Sequence, residues 1–175
     1  MRSTRLTPEI WLSAGLDALA ASGPQALAAE PLARALGTTK GSFYWHFKDV
    51  PAFQDAVLSR WRVDALAHVI DLLQQTGGPD QRLRQFGRDI VTDGTEASVR
   101  VWALTDSRVA AICAEVDAER QQYLTRILGQ VGLGNPDFAL ALQATLIGLS
   151  QLSPRSTEDQ MAPFDTLVDT VLALA

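Results

Sequence analysis

Apolar residues recur along the chain at helical spacing, and period-two alternation is absent throughout. Thr7, Pro8 and Glu9 form a helix start: a cap, a proline at the first position and an acid in the first turn. Ile10, Ala14 and Ala18 then make an apolar stripe opposite Glu9, Ser13 and Asp17, and Gly23-Pro24 stops the helix. A short second helix is predicted over Ala29 to Leu36 and a third over Thr39 to Phe47, with Gly37 at the corner between them. Asp49 caps a long fourth helix, in which Phe53, Val57, Trp61, Ala65 and Val69 keep i, i+4 spacing towards Gln75. After the break at Gly77-Gly78-Pro79, five more helices are predicted near 79–92, 97–104, 106–130, 136–152 and 158–174, with Asp93-Gly94 and 132–136 as breaks. The pattern predicts an all-α fold of about nine helices: a three-helix head over 1–50, joined through the fourth helix to a helical body over 51–175.

The corner has its own logic. Leu32 and Leu36 share one face of the second helix, and Phe43 and Phe47 share one face of the third. Two helices that cross steeply through a short turn need a small residue where their backbones meet and a residue that tolerates positive φ at the corner. Ala33 and Gly37 stand at those places. The spacing is that of a helix-turn-helix. With the phenylalanines inward, Thr38, Thr39, Lys40, Gly41, Ser42, Tyr44, Trp45, His46 and the following Lys48 are the candidate DNA-binding residues. Hydroxyls, a lysine and free N–H groups at a helix start suit phosphates and base edges. Gly41 lets a backbone approach closely, at about 1 kcal/mol of helix propensity.

Charge supports that placement. The 175 residues carry a net charge of −5, but residues 1–62 hold seven Lys/Arg against five acids, and the remainder hold eight against fifteen. A polyanion would meet the head.

The stretch LARALGTTKGSFYWHFKD resembles the DNA-binding head of the TetR family of bacterial transcriptional regulators, with residues 7–61 carrying the resemblance. That resemblance puts Thr39, Lys40, Tyr44, Trp45 and His46 on the recognition helix and Lys48 just past it. It implies a homodimer on double-stranded operator DNA, and a small-molecule effector in the body that releases a repressor. Two positions depart from the family pattern: Ala28 where a capping Ser or Thr is usual, and Val50 where a Lys or Arg commonly holds a phosphate. Arg2, Arg5 or Lys48 would compensate.

In the body, Trp61, Phe86, Trp102 and Tyr123 are candidate liners of an effector pocket, and the scarcity of ionisable residues near them suggests a mainly apolar ligand. The uncharged helix 138–153 and the last helix are the candidate dimer interface, through Ala141, Ala144, Thr145, Gly148, Phe164, Val168 and Val171. The apolar run at 138–153 is too short to span a bilayer, so no membrane partner is expected. The single cysteine, Cys113, reads as a small buried hydrophobe, and one cysteine fits a reducing cytoplasm.

No metal, cofactor or catalytic constellation is expected. The two histidines stand apart, and Glu115 and Glu119 read as a solvated face beside Arg120. The glycines near 132 lack the lysine of a phosphate loop. A second reading, an all-helical small-molecule-binding or enzymatic protein whose helix-turn-helix is incidental, stays open at this point. DNA binding separates the two.

Overall fold

The computed structural model describes residues 6–152 and 156–175, and among them the regular structure is helical throughout. The α-helices are α1 (Pro8–Ser22), α2 (Ala29–Ala35), α3 (Lys40–His46), α4 (Val50–Gln74), α5 (Pro79–Thr92), α6 (Gly94–Ala103), α7 (Ser107–Gly129), α8 (Pro136–Gln151) and α9 (Thr157–Leu172). A 3-10 turn at Pro24–Ala26 follows α1. Arg2 and Arg5 lie outside the described residues.

Local chemistry sets most of the ends. The Asp49 carboxylate accepts from the Ala52 N–H at 2.8 Å, and the Asn135 and Ser156 side chains accept from the N–H of Asp137 and Asp159. Asp93 does the same for α6, accepting from Thr95 N–H at 2.9 Å. The expected break at Asp93-Gly94 is therefore a helix start, and α6 begins three residues earlier than the pattern suggested.

Two compact units emerge. The first runs up to Asp64 and includes Ser98–Cys113; the second comprises Ala65–Ala97 and Ala114–Ala175. The division falls inside α4, whereas the boundary read from the sequence stood at residue 50.

In the first unit the buried stripe of α1 is Trp11, Gly15 and Leu19. This corrects the expected Ile10, Ala14 and Ala18 by one position. Trp11 packs edge-on against Phe43, with ring centroids 5.4 Å apart. Gly15 leaves the space that the Phe53 ring fills: a Cβ there would lie 2.7 Å from Phe53 Cζ. The sequence pattern weighted alanines over a tryptophan and a glycine, and packing does the reverse.

The core of the second unit joins Val69 and Leu72 of α4 to Leu83, Phe86 and Ile90 of α5, with Tyr123 and Leu124 of α7 and the inner faces of α8 and α9. Arg84 on α5 meets Asp80, Asp165 and Asp169 and so clamps α5 to α9. Partial burial works against its charge, but the three carboxylates together hold its pKa above the ordinary arginine value.

Candidate nucleic-acid interface

The corner between α2 and α3 has the geometry its residues suggest. Ala33 is buried, and Gly37 has φ +62°. The Thr38 N–H donates to the Ala33 carbonyl at 2.9 Å and the Gly37 N–H to Arg34 at 3.2 Å, closing α2 with a Schellman turn. Thr39 caps α3, its hydroxyl accepting from the Ser42 N–H at 3.3 Å.

Phe43 is fully buried, and three rings surround it besides Trp11: Tyr44 at 5.2 Å, Phe47 at 5.4 Å and Phe53 at 5.2 Å. Phe47 is only partly buried, yet it turns inward onto Phe53 at 4.8 Å. The phenylalanines thus fix the back of α3.

Its other side is open. Trp45 is 89% exposed and Tyr44 46% exposed, and Thr39, Lys40, Gly41 and Lys48 are exposed as well. Thr38, Ser42 and His46 are half-buried. The Lys40 ammonium lies 6.0 Å from the Tyr44 ring centroid, so a cation and a phenol hydroxyl are held near each other. A Cβ on Gly41 would touch only Thr39 Oγ1, at 3.6 Å, so the protein's own packing does not require a glycine there. The nine candidate DNA-binding residues are thus exposed or half-buried, partly aromatic and without an acidic side chain among them.

On α1, hydrogen bonds from the Thr7 hydroxyl and from the Glu9 backbone N–H hold the Glu9 carboxyl below the usual range.

Ala28 is the N-cap of α2 and supplies no side-chain bond. Ala28→Ser should therefore stabilise the first unit by about 0.5–1 kcal/mol, read as a higher unfolding temperature.

Other candidate residues fall differently. Phe86 and Tyr123 stack at 5.6 Å in the second unit. Trp61 and Trp102 are buried, but they belong to the first unit. Phe164, Val168 and Val171 are buried inside the protomer's own core and offer no surface to a partner, which corrects that part of the dimer expectation. Ala141, Ala144 and Gly148 are exposed along α8, with Thr145 half-buried beside them. On α9 the exposed residues include Ala162, Pro163 and Thr166, which line a shallow groove with Asp159. Sequence reasoning missed them because it selected large apolar residues, and those α9 keeps for its own core.

It also missed a buried polar group in the second unit. Arg120 Nη1 donates to Glu96 Oε1 at 2.9 Å, and both side chains are almost wholly buried. Glu115 and Glu119 are solvated as expected, but Arg120 turns inward. Glu119 and Arg120 are adjacent on α7, and the rotation of about 100° between neighbouring helical residues separates the two environments.

A small bundle that seals phenylalanines behind a short helix reached through a tight corner is a helix-turn-helix, and the comparisons agree with that fold. Residues 12–49 match the family model described as bacterial regulatory proteins, tetR family. A transcriptional regulator from Rhodococcus sp. Rha1 superposes with TM-score 0.81 at 21% identity, over 97% of this chain and 98% of its own. A protein from Rhodococcus sp. assigned to the TetR family gives 0.74 at 20% identity, over 94% and 98%. A transcriptional regulator of the TerR/AcrR family from Aquifex aeolicus VF5 gives 0.68 at 13% identity, over 94% and 98%. None of the curated proteins matches the sequence. Residues 12–49 thus match the family model, and the chain as a whole shares the fold of these solved regulators. Among the described residues no helix is long and apolar enough to cross a membrane.

Proposed function

We propose that this chain is a homodimeric, ligand-responsive DNA-binding regulator, a repressor released from its operator by a small effector. The observation that carries the reading is the division of α3: Phe43 sealed behind, with Lys40, Tyr44 and Trp45 outward. Such a helix presents a cation, hydroxyls and flat rings to a groove and its phosphates. A single head has little purchase on a specific site. A dimer reads two half-sites about 34–36 Å apart, and the exposed small residues of α8 and α9 would let two helix pairs approach closely.

Effector and operator would be linked through coupling between the body and the paired heads. A tenfold difference in operator affinity corresponds to about 1.4 kcal/mol. The effector is small and largely apolar on this reading.

Lys40→Ala and Tyr44→Ala test it. Each should weaken binding to the protein's own upstream DNA by about tenfold, and Lys40→Ala should lower the slope of log affinity against log salt by about one. Helicity and the oligomeric state should stay unchanged, because both side chains are exposed. Loss of helicity in either variant would mean that the outward face has a structural role.

A further inference from the structure

The buried polar group of the second unit asks for a partner that the protein itself does not supply. Arg120 uses Nη1 on Glu96, while its Nε–H is buried and meets no acceptor. Gln143 is 6% exposed, and its Nε2 donates to both the backbone carbonyl and the carboxylate of Asp117, at 3.2 and 3.0 Å. Both of those partners only accept, so the amide orientation is fixed and cannot be flipped to advantage. Its Oε1 is then the atom left buried without a donor. Asp117 and Arg120 are one turn apart on α7, and Gln143 reaches α7 at Asp117, so the open donor and the open acceptor belong to residues gathered at one stretch of α7.

Leaving such atoms unsatisfied costs about 1–3 kcal/mol each. We propose that Arg120 and Gln143 bind the head of the effector, and that this head is a neutral hydroxyl on an apolar body. The inference rests on the regulator reading for the word effector, but the site itself stands on these contacts.

A hydroxyl matches because one oxygen can accept from Arg120 Nε–H while its proton goes to Gln143 Oε1. Charge selects against an anion: Glu96 already balances Arg120, so a carboxylate head would add an uncompensated charge inside the unit. The apolar body follows from the next turn of α7, where Tyr123 stacks on Phe86. The buried core around them is otherwise aliphatic and aromatic, with the Tyr123 hydroxyl as a polar atom buried within it.

Benzyl alcohol, toluene and benzoate share one body and differ in the head, and their binding to the full-length protein can be measured by ligand-observed NMR. Benzyl alcohol should bind at least about tenfold more tightly than either of the others, a difference of about 1.4 kcal/mol. Gln143→Leu should remove the preference. Arg120→Lys should do the same while keeping the charge opposite Glu96, and it carries the test if Gln143→Leu does not fold. Equal binding of toluene, binding of none of the three, or a preference that survives both substitutions would overturn the proposal, the two atoms then holding water only. A gel shift with upstream DNA on the same samples keeps the two readings apart. Failure of the wild type to bind DNA, with the alcohol preference intact, removes the regulator and leaves the site.

Discussion

Phe43→Ala should cost the first unit about 3–5 kcal/mol, a large share of the stability of a typical domain. The side chain is fully buried and meets Trp11, Tyr44, Phe47 and Phe53, contributed by α1, by α3 and its end, and by α4. Phe47 and Phe53 are already packed on each other at 4.8 Å, which limits how far either can move into the space. The change would be seen as early unfolding of the tryptophan fluorescence, and as loss of DNA binding at temperatures where the wild type still binds. Tyr44→Ala sits on the next residue, yet its side chain is 46% exposed, so it should leave the unfolding temperature nearly unchanged. The contrast between adjacent positions tests the assignment of faces on α3 more strictly than either substitution alone. Equal destabilisation by both would contradict it.

The second large effect is expected at Gly87, where α5 meets α9. A Cβ there would lie 2.4 Å from Cε1 and 2.7 Å from Cδ1 of Phe164, and the Phe164 ring is itself fully buried. Alanine favours a helix over glycine by about 1 kcal/mol. Overpacking in a closed core costs about 1–3 kcal/mol. The steric cost should win, because the ring has no exposed direction in which to move. Gly87→Ala should therefore lower the unfolding temperature, and Phe164→Leu in the same chain should recover part of the loss. A double-mutant cycle should return a coupling of about 0.5–3 kcal/mol between the two sites. Strict additivity would mean that α5 and α9 separate without resistance.

These two sites show what the sequence discloses and what it withholds. The head was legible because its signals are local. Gly37 can be read as a corner from the residues on either side of it, and Phe43 and Phe47 declare a face by their spacing alone. Asp49 was likewise readable as the cap of α4. The missed features all depend on a partner far along the chain. Gly15 lies on the buried face of α1 only because Phe53 comes to it, and Gly87 only because Phe164 does.

Arg120 looked like part of a charged surface because its acceptor, Glu96, is on another helix. Phe164, Val168 and Val171 looked like an interface because size and apolarity do not say which neighbour will cover them. In fact α5 and α8 cover them within the protomer. The small residues Ala141, Ala144 and Gly148 of α8 are exposed, but nothing in their spacing names a partner.

The central claim is that α3 offers its Lys40–Tyr44–Trp45 side to duplex DNA. Equilibrium binding of the purified protein to a labelled duplex from its own upstream region, titrated with salt, tests it most directly. Saturable binding by two copies per site is expected, weakening steeply and linearly in log–log form as salt rises, and weakened about tenfold by Lys40→Ala. Binding that is absent at low ionic strength, or that Lys40→Ala and Tyr44→Ala leave untouched, would contradict it.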